Sequence, residues 1–200
     1  MSISAKDVKS LRDRTGAGMM DCKKALIETK GNLEDAIDLM RASGATKAAK
    51  RAGKVASEGT IGTYLHFDNR VASMVELNCE TDFVANTDDF KALARDIALH
   101  IASQAPAGVS DADIAPEVVD RERKIYEEQI REQGKPEHIA EKIVQGKLRK
   151  YFEDNTLMAQ PFVKNPDQTI GELVTEVSAR TGEKIEIARF VRMKVGETTG

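Results

Sequence analysis

The groups in this chain able to do acid–base, nucleophilic or metal chemistry are few, and their spacing argues against each. His66, His100 and His138 fall in three separate segments without HxH or HxxxH spacing, so they read as structural or surface residues. Cys22 and Cys79 have no CxxC neighbour, which signals neither a zinc site nor a disulfide framework. Cys22 sits on an apolar helical face. Cys79 has no local histidine to activate it, which leaves a thiol enzyme based on Cys79 as a minor reading. Gly16-Ala17-Gly18 before Asp21 is not GxGxxG, and Gly53-Lys54 lacks the remaining residues of a phosphate loop. Asp88-Asp89 suits the start of a helix better than an acid/base dyad. The expectation is a protein with no catalytic residues, no cofactor and no metal site.

One stretch invites a different kind of chemistry. Val71, Ser73, Val75, Leu77 and Cys79 share one face of an alternating strand, with Glu76, Asn78 and Glu80 on the other. Thr81-Asp82-Phe83-Val84-Ala85-Asn86 follows as a strand-to-helix connection, with the next helix expected from about Thr87. Loops carried on a rigid scaffold are common functional positions. Phe83 there either tucks into its own core or is offered to another molecule. Met19-Met20 raises a similar question, because consecutive helical residues point about 100° apart. Either one methionine is at least half exposed as an adaptable contact, or both plug a small bundle.

The elements that must position these residues follow from pattern. Val8 and Leu11 mark a first helix ending at Arg14-Thr15-Gly16-Ala17-Gly18. A second starts near Met19 with Cys22, Ala25 and Leu26 on one side. Gly31-Asn32 breaks it, and Asn32 can cap a third with Leu33, Ala36, Ile37 and Met40 inward. Three helices in about 40 residues predict a ubiquitin-associated-like bundle over residues 1–42, marginal by itself at this size. A basic Ala/Lys linker follows over 43–58, where Lys47, Lys50, Arg51 and Lys54 lie among Ala45, Ala48, Ala49, Ala52 and Ala56. It reads as a solvated connecting helix; the competing reading is an RNA- or ribosome-associated module that touches phosphates.

The remainder, residues 59–200, predicts a core of antiparallel sheet plus helices, giving an α+β class overall. Ile61, Thr63, Leu65 and Phe67 alternate, Asp68-Asn69-Arg70 turns the chain, and Val71 to Cys79 returns. Phe90, Leu93, Ala94, Ile97 and Ile101 line the next helix. Two very polar helices about Gly134 and Pro136, with seams through Ile125, Ile130, Ile139, Ile143, Leu148 and Phe152, predict a coiled-coil-like hairpin inserted at about 117–155. Ile170, Leu173, Val174 and Val177 line a further helix closed by Gly182. In the last strand Arg189 interrupts the face shared by Ile185, Ile187, Val191, Met193 and Val195, so either a bulge intervenes or Arg189 reaches outside.

Composition bounds the class. The chain is 40% hydrophobic and 32% charged with net charge −3, and only 4% aromatic with no tryptophan, which argues against a stacking nucleic-acid surface. Residues 1–58 carry 12 Lys+Arg and 8 Asp+Glu, against 18 and 25 in the rest, so a basic amino-terminal part precedes an acidic body. A polar amino terminus and the lack of a long apolar run predict a cytoplasmic protein with no membrane association.

The stretches Leu11-Arg12-Asp13-Arg14-Thr15-Gly16-Ala17-Gly18-Met19-Met20-Asp21-Cys22-Lys23-Lys24-Ala25-Leu26 and Glu76-Leu77-Asn78-Cys79-Glu80-Thr81-Asp82-Phe83-Val84 resemble the two signatures of the bacterial translation elongation factor Ts family. Gly134-Lys135-Pro136 and Gln160-Pro161-Phe162-Val163 are further family-like phrases, and the resemblance covers essentially the whole chain. It implies a guanine-nucleotide exchange factor for elongation factor Tu. It further implies that Asp82 and Phe83, flanked by Thr81 and Val84, enter the GTPase and disturb its magnesium and phosphate region. The resemblance also implies that the amino-terminal bundle contacts the same GTPase through Arg12, Met19, Met20 and Lys23. Short members with a single core repeat pair as homodimers. Here the stretch Arg189-Phe190-Val191-Arg192 lacks the cysteine that links some of them, so a non-covalent pairing is expected.

Overall fold

The computed structural model describes residues 3–51 and 53–197, without the side chains of residues 45, 47–49, 137 and 138. The expectations for the Ala45, Lys47, Ala48, Ala49, Ala52 and His138 side chains therefore lie outside the described residues. Its elements run α1 (Ala5–Thr15), α2 (Met19–Glu28), α3 (Leu33–Arg51), β1 (Glu58–Leu65), β2 (Val71–Cys79), α4 (Asp82–Ala85), α5 (Asp88–Gln104), α6 (Pro116–Glu132), α7 (Glu137–Asn155), β3 (Pro161–Phe162), β4 (Asn165–Thr169), α8 (Ile170–Thr181) and β5 (Glu186–Lys194). The strands form a three-stranded sheet of order β1-β2-β5 and a small antiparallel β3-β4 pair. The chain clusters into two compact units, one of residues 1–60, 77–93 and 172–186, the other of 61–76, 94–171 and 187–200.

The first unit contains α1, α2 and α3 around a core of Val8, Leu11, Cys22, Ala25, Leu26 and Ala36. Its punctuation follows backbone chemistry. Ser4 and Asp7 form a reciprocal capping box at the start of α1. Gly16 ends that helix with φ 64°, a conformation that only glycine adopts cheaply. Asn32 Oδ1 accepts from the N–H groups of Glu34 and Asp35 and so caps α3. The expected boundary at 42/43 falls inside α3, which continues to Arg51. Alanine and lysine are strong helix formers, so the basic stretch extends the helix instead of ending it. Two of its cations are engaged: Arg51 Nη1 donates to the Ser178 carbonyl at 3.4 Å, and Lys54 Nζ pairs with Glu80 at 2.7 Å.

In the second unit α5 packs on the inner face of the sheet. Gly62 of β1 abuts the backbone of Ala94, Ser73 Oγ of β2 donates to the Ala98 carbonyl at 2.6 Å, and Arg192 Nε of β5 donates to the Ala102 carbonyl at 3.2 Å. Those positions recur every four residues, about 6 Å along a helix, so α5 crosses from strand to strand. The opposite face of the sheet leaves Ile61, Leu65, Met74, Val191 and Met193 exposed. In β5 the inward parity changes between Ile187, which is buried, and Phe190 and Arg192, which are half-buried. Arg189 points outward and pairs with Glu76 at 2.7 Å. The face that Arg189 seemed to interrupt is thus two faces, since Ile185 and Ile187 are buried while Val191, Met193 and Val195 are exposed.

α6 and α7 join through Gly134 (φ 62°) and share a small core of Ile130, Val144 and Leu148, with Val119, Tyr126, Ala140 and Ile143 against it. Ile125 and Ile139, expected in that seam, are exposed instead. Tyr126 lies about 100° round the helix from Ile125, and its ring takes the inward position. Pro136 precedes α7 as its cap rather than opening it. The β3-β4 pair has no counterpart in the sequence pattern, because Asn165-Pro166-Asp167 reads as a turn.

Candidate partner-binding site

The strand β2 delivers the chain to its exposed phenylalanine with strict alternation: Ser73, Val75, Leu77 and Cys79 are buried. The following residues do not form an open loop, as the pattern predicted, but one helical turn, α4, and then α5 from Asp88. Thr81 takes the extended cap conformation, and its Oγ1 accepts from the Val84 N–H at 3.4 Å. At the far end Asn86 Nδ2 donates to the Asp82 carbonyl at 2.9 Å, and Thr87 Oγ1 donates to the Val84 carbonyl at 2.8 Å. Ala85 is buried and anchors the turn from below. Asp82 and Phe83 occupy its outer side, with Phe83 83% exposed. Val84 and Thr81 are half-buried flanks.

Two glutamates brace this turn crosswise. Glu183 Oε2 accepts from the N–H groups of Glu80 and Thr81 at 3.0 and 3.1 Å, and its Oε1 accepts from the Thr81 hydroxyl at 2.6 Å. Glu80 Oε1 accepts from the Lys184 N–H at 2.7 Å while its Oε2 meets Lys54 Nζ. The Lys54 ammonium and the Lys184 N–H hold the Glu80 carboxyl below the ordinary carboxylate range. Beneath them the Cys79 thiol donates to the Thr81 carbonyl at 3.2 Å. Burial, then the nearby Glu183 charge, pushes that thiol upward, the reverse of what a nucleophilic cysteine needs. The thiol-enzyme reading loses its basis there.

The amino-terminal candidates belong to the same compact unit. Arg12, Met19, Met20 and Lys23 are all exposed. Both methionines face outward, at 47% and 65%, rather than one of them, because Cys22, Ala25 and Leu26 already fill the inward face of α2. The bundle is tied to the support of the turn through α8. The Arg180 stem lies so close over Gly16 that a Cβ there would fall 2.8 Å from its Cδ, and Arg180 Nε approaches Asp89 Oδ2 at 3.8 Å. Glu183, Lys184 and Arg180 carry no signal in the linear sequence, being about a hundred residues from the turn they hold.

Among the described residues no group of His, Cys, Asp and Glu has the arrangement of a metal site, and no helix is long and apolar enough to cross a membrane. Two shallow cavities lie on the charged surface of α6 and α7, lined by residues such as Arg121, Lys124 and Glu128. The geometry provides presented side chains on a braced scaffold, which is what binding another macromolecule requires.

Comparison with known proteins identifies the family of the chain. A family model described as elongation factor TS matches residues 4–197. The chain is 50% identical over 196 residues to elongation factor Ts of Desulfosudis oleivorans, covering 98% of this chain and 99% of that protein. It is 49% identical to elongation factor Ts of Thermosipho melanesiensis over 98% of this chain and all of that one. With elongation factor Ts of Syntrophomonas wolfei it shares 51% identity over 98% of this chain and 91% of the other. With the family model matched over residues 4–197 and half of the residues identical to a relative over 98% of the chain, the protein belongs to the elongation factor Ts family.

Proposed function

We propose that this protein is a guanine-nucleotide exchange factor for elongation factor Tu, and that it acts by inserting the Thr81-Asp82-Phe83-Val84 turn near the magnesium and phosphate region of that GTPase. The carrying observation is Phe83, a large apolar side chain left exposed on a helical turn whose cap residue, Thr81, is hydrogen-bonded to Glu183 and to the Val84 N–H. An exchange factor accelerates GDP loss only by binding the nucleotide-free partner more tightly than the GDP-bound one. GDP must then weaken the factor's binding by the same ratio. Burying a phenylalanine contributes about 1.5–3 kcal/mol if its pocket opens only in the rearranged GTPase. That is about a 10- to 150-fold shift. Because the turn is already formed, little of this gain is lost to ordering it. Asp82, at the first position of the turn, brings a carboxylate toward a region organised by a cation and phosphates.

The first three helices act as a ubiquitin-associated-like docking module, using Arg12, Met19, Met20 and Lys23 on the same GTPase. Two flexible thioethers side by side suit a surface that must follow a moving partner. α6 and α7 form the inserted helical hairpin. A second copy of the chain covers the open sheet face of Ile61, Leu65, Met74, Val191 and Met193 as a non-covalent homodimer. The engagement of Arg51 and Lys54 inside the unit weighs against the phosphate-binding alternative. The deciding experiment is the release of labelled GDP from elongation factor Tu with this protein added. Acceleration that saturates with protein concentration is expected; release at the spontaneous rate would overturn the proposal.

A further inference from the structure

We propose that Glu183 is a positioning residue of the exchange reaction, holding the Asp82–Ala85 turn in the conformation that presents Phe83. The inference rests on the reading of Phe83 as the inserted side chain. A single helical turn is too short to hold itself, because nucleation costs more than one turn of hydrogen bonds returns. On its carboxyl side Ala85, Asn86 and Thr87 hold it. On its amino side the Glu183 carboxylate accepts three donors at once: two consecutive backbone N–H groups and the Thr81 hydroxyl.

The hydroxyl contact matters most. Thr81 Oγ1 has one proton and two lone pairs. Donating the proton to Glu183 turns a lone pair toward the Val84 N–H, so the cap of the turn is set by a residue about a hundred positions away. Glu183 is itself fixed. Its carbonyl accepts from Ser178 Oγ, its N–H reaches Thr181 Oγ1, and the N–H of the next residue is held by Glu80. Each glutamate therefore grips the backbone beside the other. A carboxylate that braces a presented side chain acts on rate through geometry, where small misplacements cost about tenfold or more.

The test is a saturation series of stimulated GDP release from elongation factor Tu with wild type, Glu183→Ala, Glu183→Gln, Thr81→Val, the Glu183→Ala/Thr81→Val double variant and Phe83→Ala. Glu183→Ala is expected to lower the maximal stimulated rate about tenfold. Its half-saturating concentration should stay within about threefold, since the amino-terminal contacts are intact. The double variant should be slowed by less than the product of the two single effects, because both singles remove the Thr81–Glu183 hydrogen bond. Val84 and Ala85 amides in Glu183→Ala should exchange with solvent faster than in wild type. Should Glu183→Ala not fold, Glu183→Gln carries the test: it keeps the shape and one acceptor oxygen, and its maximal rate should also fall. A folded Glu183 variant at the wild-type maximal rate, or additive effects of the two substitutions, overturns the positioning role while Phe83→Ala remains slow. A wild-type rate for Phe83→Ala would instead remove the reading beneath it.

Discussion

Phe83 and Phe90 flank the same helix start and meet opposite fates: Phe90 is fully buried and Phe83 stands in solvent. Substituting each should separate folding from function. Phe90→Ala empties the core and should cost about 3–5 kcal/mol, whereas Phe83→Ala should change unfolding free energy by no more than about 0.5 kcal/mol, both read from denaturant titration. His100 offers a second residue-scale prediction. Its Nδ1 accepts from the Val163 N–H at 3.2 Å, so the neutral ring donates from Nε2 to Gln160 Oε1 at 3.0 Å. Burial lowers its pKa below the ordinary imidazole value of 6.5. The unfolded chain then binds more protons in that window, so stability is complete above about pH 6.5 and declines as pH falls through the lower folded value. Asp7, held below the ordinary aspartate value of 3.8, and Glu34, Glu80 and Glu197, held below the ordinary glutamate value of 4.5, contribute their losses only further down. Melting temperature between about pH 6.5 and 5 should therefore fall in wild type and stay flatter in His100→Gln. Equal slopes would assign the acid sensitivity elsewhere.

Glycine in a strand normally weakens it, yet Gly62 is where β1 lies against α5. Gly62→Ala would drive a methyl group into the backbone of Ala94, and should lower stability by about 1–3 kcal/mol in a denaturant melt. A neutral effect would mean that α5 can shift. Elements of this kind were largely legible beforehand. α1, α2 and α5 carry their apolar stripes and caps openly, as Val8 and Leu11, Cys22 and Leu26, or Phe90 and Ile97 do. What pattern could not supply was anything decided by tertiary contact. Ile61 and Leu65 alternate like a buried face but are exposed, because Gly62 is the residue that meets the helix. The turn at Asp82–Ala85 looked like a loop, because four residues carry no period and its cap is set by Glu183. Thr81, Asp82, Phe83 and Val84 stand out in the chain; Glu183, about a hundred residues away, does not.

For the molecule as a whole, an apolar sheet face left open is the strongest statement about assembly. Charge on that face should oppose pairing with a second copy while sparing the fold. Val191→Asp combined with Met193→Lys should convert a dimer to a monomer in light scattering with an unchanged circular dichroism spectrum; a wild-type protein that is already monomeric would contradict the pairing. The proposed exchange reaction uses a distinct set of residues, the presented turn and the amino-terminal helices of one compact unit. The measurement that tests it most directly compares stimulated GDP release from elongation factor Tu by wild type and by Phe83→Ala at saturating concentrations of each. We expect the variant, fully folded, to be slower by about tenfold or more, the worth of burying one phenylalanine. A folded Phe83→Ala that releases GDP as fast as wild type would contradict the account.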